Sequence, residues 1–395
     1  MHDRGIAAGG RTAQDARPKP RLIAGNAVFF PAATLYAIFI LPASMLAMLG
    51  LTVALPALAS PTAHAHEMLF GFALAVVAGN QLGPMPPPRL ALLAGLWLIA
   101  RATFLTAPHS MTAAAANIAF AALLAAQLAP RLFGSAKKLR NQALPLVLTA
   151  ICVSGIAFEL APHAGFASAA HVILVVAVLL FAVLMLFMGG RLIAPTVAGQ
   201  FHRQGDKLQA RVQPRIEAGL LIAMAVAVIV SAFSDQRPWV MLAAAASVTA
   251  GALSVVRLLR WRLWALRGRP DLLCLAAGYG WLALGLMLYG AALVAGRYET
   301  AALHVITVGA LGTLTLNVMV MTWTLKARQD PARARTPVYA TLLIAAATLA
   351  RMLAALSVYD SRILFQLAAL CWSGAFALLL VRLVRVRARP NPAGG

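Results

Sequence analysis

The sequence predicts an all-α polytopic membrane protein of about twelve transmembrane helices, and three observations predict it. First, 62% of the 395 residues are hydrophobic and 11% are charged, with a mean hydropathy of +0.83, whereas soluble chains carry roughly 25% charge. Second, apolar runs recur along the whole chain, each close to the roughly 20 helical residues that cross a hydrocarbon core. Third, the basic residues fall between the runs. The net charge is +22, but a nucleic-acid surface needs basic residues gathered on one solvated face among stacking aromatics, so nucleic acid is excluded as a partner.

In order, the predicted spans are 32–54, 66–83, 90–107, 112–133, 143–161, 168–190, 216–233, 238–257, 271–295, 301–325, 337–357 and 363–384. With the N-terminus inside, 27 of the 33 lysines and arginines fall in inner segments, and the outer loops hold only Arg237, Arg297 and Arg362. The positive-inside rule therefore puts both termini in the cytoplasm. The expected organisation is a basic cytoplasmic tail over 1–27, a twelve-helix membrane domain over 28–385 and a cytoplasmic tail over 386–395. Met1 to Arg21 is basic and polar, the pattern of a tail rather than of a cleaved signal. Cys152, Cys274 and Cys371 each sit in an apolar run, which argues against both a disulfide framework and a thiolate metal site.

This topology makes the histidines informative, since six of the eight (His64, His66, His109, His163, His171 and His304) fall on the outer side. Spans 2, 6 and 10 also share a pattern around one histidine each: AHEMLFGFAL from Ala65, AHVILVVAVL from Ala170 and LHVITVGALG from Leu303. The constant spacing suggests three four-helix units about a pseudo-threefold axis, with the three histidines near the outer face.

The stretch AHAHEMLFGFALAVVAG, Ala63 to Gly79, places three titratable groups at the mouth of an apolar helix. Helical spacing puts His64 and Glu67 on one face and His66 on the other. A carboxylate beside a histidine is the arrangement that supports many metal-bound imidazoles, while the plainer reading is a polar cap on the helix dipole. His304 opens span 10, followed on one face by Thr307, Thr315 and Thr322, which either line a cavity or bond back to the helix backbone. Two imidazoles on facing helices would suit a haem iron. Arg191 follows Gly189 and Gly190 near the inner end of span 6, and Pro195 is expected to stop that helix. Arg101, Glu159 and Arg351 are further charges within spans, and spacing does not assign their partners.

At these residues the chain resembles the NnrS family, membrane proteins of the bacterial nitric oxide response described as containing haem and copper. The carrying stretches are AHAHEMLFGFALAVVAG, FMGGRLIAP (Phe187 to Pro195), GYGWLALGLMLYG (Gly278 to Gly290) and AALHVITVGALG (Ala301 to Gly312). The family pattern matches at His64, His66, Glu67, Gly189, Gly190, Arg191, Tyr279, Trp281 and His304. The chain departs from it at Ala63, usually tryptophan, at Ala276, usually histidine, and at Met321 and Lys326, usually arginine and histidine. The spans and their spacing are also similar to the catalytic subunit of haem-copper oxidases, but span 7 lacks the copper-centre histidines of that family.

The resemblance implies a haem of the b type, copper as a second metal, nitric oxide or a related small molecule as ligand, and a bacterial inner-membrane location. His66 and His304 are the expected haem ligands with His64 beside them, and Glu67 and His171 are further metal candidates. Arg191 and Tyr279 are expected in support, and no catalytic residue is assigned. The alternative is a secondary transporter for a metal ion or metal complex, with the outer histidines as its entry site.

Overall fold

A computed structural model describes residues 22–52, 55–135, 139–233, 236–357 and 360–386. The predicted N-terminal tail over 1–27 lies almost wholly outside the described residues, as does nearly all of the C-terminal tail. Among the described residues twelve helices run back and forth: α1 (Asn26–Met48), α2 (Pro61–His66, Glu67–Ala73 and Leu74–Gln81 as one continuous rod), α3 (Pro87–Thr106), α4 (Met111–Ser135), α5 (Leu139–His163), α6 (Ala170–Met188, Gly189–Ile193 and Ala194–Arg203), α7 (Pro214–Phe233), α8 (Arg237–Arg260), α9 (Pro270–Ala295), α10 (Glu299–His304, Val305–Gly312 and Thr313–Lys326), α11 (Thr336–Ala355) and α12 (Ser361–Arg385). Eleven are long and apolar enough to cross a membrane. The remaining one, α2, falls short in composition because His64, His66 and Glu67 occupy its first turns. The protein is thus a multi-pass, all-helical membrane protein, as the sequence predicts.

Two expectations are corrected. The first helix begins at Asn26 and ends at Met48, not at 32–54. Pro31 is carried inside it, as membrane helices tolerate, and Gly50 with φ +71 ends its run. Pro195 does not stop α6, which continues to Arg203. It follows a π turn, Gly189–Ile193, whose wider winding displaces the carbonyl that a proline ring would strike in an α-helix.

The interior is built by every fourth helix. The most apolar stretches of α6 and α10 are 72% and 78% buried, against 22% for α7, and α2 is buried at every position from Leu69 to Gly79. A helix apolar on all sides has no polar face to offer water, so it sits in the core or in lipid. Here the neighbours surround it. Among the described residues the π turns also fall in these three helices: Glu67–Ala73 in α2, Gly189–Ile193 in α6 and Val305–Gly312 in α10. The spacing of four read from the sequence is therefore the spacing of the central helices.

The outer helices close the molecule end to end. Trp372 Nε1 on α12 donates to Ala37 O on α1 (3.1 Å), and Ser373 Oγ to Ile38 O (2.8 Å). Phe72 of α2 packs edge-on against Trp372 and Phe376 with centroids 5.8 and 5.2 Å away, so the first and last helices meet over a central one. An antiparallel pair of short strands, β1 (Ile23–Ala24) and β2 (Pro84–Met85), ties the start of α1 to the loop after α2. Lys326 at the end of α10 bonds Asn26, which places the start of α1 and the end of α10 at one end of the bundle. His64 of α2, His171 of α6 and His304 of α10 gather at the opposite end.

Candidate functional site

A cavity of about 430 Å³ opens at that second end, within the range of small-molecule sites. His64, His171 and His304, one from each central helix, line it together with Arg351 of α11, and Phe72, Val178 and Trp372 contribute to apolar walls. The three-helix histidine cluster predicted from the repeat is thus present, with a change of member: α2 contributes His64, not His66.

Local structure explains each orientation. Ser60 caps α2, its Oγ accepting from Ala63 N, with Pro61 at the first helical position. Three residues after Pro61, His64 Nδ1 lies 2.9 Å from Ser44 Oγ of α1. No bond to the other nitrogen, Nε2, is seen among the described residues. His304 is held at both nitrogens: Nδ1 is 2.6 Å from Thr300 O, and Nε2 is 3.0 Å from Arg351 Nη2. A carbonyl only accepts and a guanidinium only donates, so the neutral ring carries its proton on Nδ1. Arg351 in turn lies 4.4 Å from the Phe365 ring centroid. Thr307 lines the cavity, yet its hydroxyl donates to Leu303 O (3.0 Å), and Thr315 does the same to Leu311 O (2.6 Å), so backbone bonding accounts for both.

His66 faces the other side of α2, into a buried polar cluster. The expected His64–Glu67 pair does not form; His66 Nδ1 lies 2.9 Å from Glu67 Oε1 instead. A π turn starts at Glu67 and turns the chain somewhat less per residue than an α-helix. Glu67 also accepts from Arg101 and from the Tyr36 hydroxyl, and Arg101 reaches on to Asn117. On its far side His66 Nε2 is 2.8 Å from Glu159 Oε1, an ion-pair contact without the alignment of a hydrogen bond. Phe104 and Phe158 stack on the imidazole at 4.1 and 4.8 Å. His66, Glu67, Arg101 and Glu159 are each at most 5% exposed. Both imidazole nitrogens face carboxylate oxygens, so either His66 is doubly protonated or one glutamate holds a proton.

The intramembrane charges that spacing could not pair therefore converge on the two histidine stretches. Arg101 and Glu159 complete the buried cluster, and Arg351 holds His304. Their signal in the sequence was the cost of a charge in a span, which requires a partner; which partner depends on packing. Ser44 and Tyr36 gave no signal at all. Arg191 and Tyr279 lie apart from this site. Arg191 is 4.6 Å from the Phe187 ring in a second cavity, and Tyr279 is buried against Gly189, with Arg257 Nη1 3.4 Å from its hydroxyl.

The imidazoles can be tested against the expected metals. Among the described residues no three His, Cys, Asp or Glu cluster closely enough to hold a metal ion, so this donor set does not fit a copper centre as placed. A haem iron needs only one or two imidazoles and an apolar slot. His64, with Nδ1 fixed by Ser44, and His304, with its tautomer fixed by Thr300, fit that requirement. Fold and site together define a polytopic helical membrane protein with a histidine-lined cavity at one end of its central helices. The chain matches the model of the NnrS protein family over residues 23–391, nearly its whole length, and belongs to that family. No curated protein matches it.

Proposed function

We propose that this protein binds haem in the histidine cavity and serves the response to nitric oxide and nitrosative stress at a bacterial inner membrane, with both termini in the cytoplasm. The observation that carries the proposal is the convergence of His64, His171 and His304 on one apolar-walled cavity. Membership of the NnrS family supports the nitric oxide role. When bound, haem would supply an iron centre able to take a diatomic ligand.

The chain's own residues hold and guard that centre. His64 offers Nε2 while Ser44 fixes the ring, and His304 offers Nε2 once Arg351 releases it. The freed guanidinium would then be available to a carboxylate or to another anion. The apolar walls exclude water and admit a small neutral molecule that partitions from lipid. His66 lies with Glu67 and Glu159 behind the same helix and touches no ligand in this reading.

The test is an absorbance spectrum of the detergent-purified protein after expression with ample haem. A Soret band is expected, and His64→Ala and His304→Ala should each shift or remove it while His66→Gln leaves its position unchanged. Absence of the band in the wild-type protein, or spectra indifferent to both cavity histidines, would reject the proposal. Dissociation constants measured by haem titration provide a second readout. A transporter with the same histidines as its entry site would instead take up a bare metal ion and show no such band.

A further inference from the structure

Arg351 is the one arginine or lysine in the described lining of the histidine cavity, and no Asp or Glu lines that cavity with it. It lies within a span, where a charge is expensive unless matched. Among the described residues, however, no carboxylate comes within ion-pair distance of it. Its contacts are a neutral ring and an aromatic face: Nη2 donates to His304 Nε2 (3.0 Å), and the group lies 4.4 Å from the Phe365 centroid. A guanidinium stacked on a ring keeps its in-plane N–H groups for oxygen acceptors, and of the donors on Arg351 only Nη2 has a hydrogen bond among the described residues. A long cationic side chain in a span ordinarily reaches for the headgroups; this one turns onto α10 instead. The contact constrains His304 as well. Thr300 O takes the proton of Nδ1 (2.6 Å), so Nε2 holds the free lone pair of the ring, and Arg351 covers it.

We propose that the histidine cavity takes a two-oxygen anion, either a carboxylate on a larger ligand or a small free oxyanion, that Arg351 grips it, and that this grip uncovers His304 Nε2. The inference rests on the reading of this cavity as the binding site and adds the chemical class of its occupant. A carboxylate or a nitrite presents two oxygens to the guanidinium fork, and a charge-assisted bidentate pair is stronger than a single bond to a neutral nitrogen. Arg351 and His304 thus form a latch. Because the anion draws away the donor that covers Nε2, the anion and a ligand at that nitrogen favour each other's binding, and the coupling is reciprocal.

The experiment treats the full-length protein in uncharged detergent, without added haem, with diethyl pyrocarbonate, which reacts with an imidazole lone pair. Peptide mass spectrometry reads the modified histidines, with His109, exposed in the loop between α3 and α4, as the reference. His304 should react slowly in chloride and several-fold faster in acetate or nitrite at equal ionic strength. In Arg351→Met it should react fast in all three. Separately, haem and its dimethyl ester are titrated into both proteins. If the anion is a carboxylate on the occupant, the free acid binds the wild type about tenfold tighter than the ester, the scale of one hydrogen bond to a charged group, and Arg351→Met loses the preference. Acceleration by free acetate or nitrite supports the small-anion source even where no haem binds, so this result survives failure of the haem reading. Preference for the free acid with no free-anion effect supports the carboxylate. No anion effect together with no preference between the two haems overturns the proposal. So does His304 reacting in chloride as fast in the wild type as in Arg351→Met, and so does an anion effect that persists in that variant. Should Arg351→Met fail to fold, Arg351→Lys, which keeps the charge and loses the fork, should weaken both the anion effect and the free-acid preference.

Discussion

His66 shows how much one side chain can cost in this interior. It sits between Glu67 and Glu159 and between two phenylalanine rings, and all of the charged partners are buried. Removing one member of a buried ion pair leaves the other uncompensated, at a cost of about 3–5 kcal/mol. His66→Ala should therefore lower the thermal midpoint in detergent sharply. Neutralising its far partner should restore part of the loss: His66→Ala with Glu159→Gln is expected to be more stable than His66→Ala alone. Strict additivity across the double-mutant cycle would mean that the two residues do not interact.

Glu67 and Arg101 belong to the same cluster, and their contact shows where sequence reading ends at this scale. A charge inside a span announces that it has a partner, but residues 34 positions apart in the chain meet only through packing. Spacing on an ideal helix makes His64 and Glu67 neighbours, whereas in the structure His64 meets Ser44 and Glu67 meets His66 and Arg101.

Each central helix carries a π turn whose glycines accept close neighbours. Gly71 packs against Arg101, with a Cβ there 2.8 Å from Nη1, and Gly189 packs against Tyr279, with a Cβ there 2.5 Å from Cε2. Overpacking of this kind costs about 1–3 kcal/mol, so Gly189→Ala should lower the melting temperature by several degrees. Gly95→Ala on α3, where nothing lies within 4 Å of the new methyl, should leave it unchanged or slightly raised. Equal behaviour of the two variants would show that the π turn of α6 yields without strain. Helix positions were legible in the sequence because apolar runs and proline or glycine punctuation are local signals. The π turns were not, since they depend on what packs against them.

Across the whole molecule, the even number of passes returns the chain to the end from which it started, and the arginine-rich segments gather there. The histidine cavity lies at the other end. In a cysteine-free background, His109→Cys in the loop between α3 and α4 should react with a membrane-impermeant maleimide applied from outside the cell. Arg333→Cys, between α10 and α11, should react only after permeabilisation. The reverse pattern would invert the topology and move the histidine cavity to the cytoplasmic side.

By itself the sequence determined the membrane class, the number of passes, the ends at which histidines and arginines collect, and the family. The family rests on motif resemblance; the others follow from residue chemistry against lipid and water, which acts locally and needs no neighbour. Only the tertiary structure decided that His64 rather than His66 joins His171 and His304, that Arg351 holds His304, and that Arg191 faces a different cavity with Arg257. Those outcomes depend on the rotation of each helix about its axis, which packing fixes and which an apolar helix, nearly uniform around its circumference, does not record in its sequence.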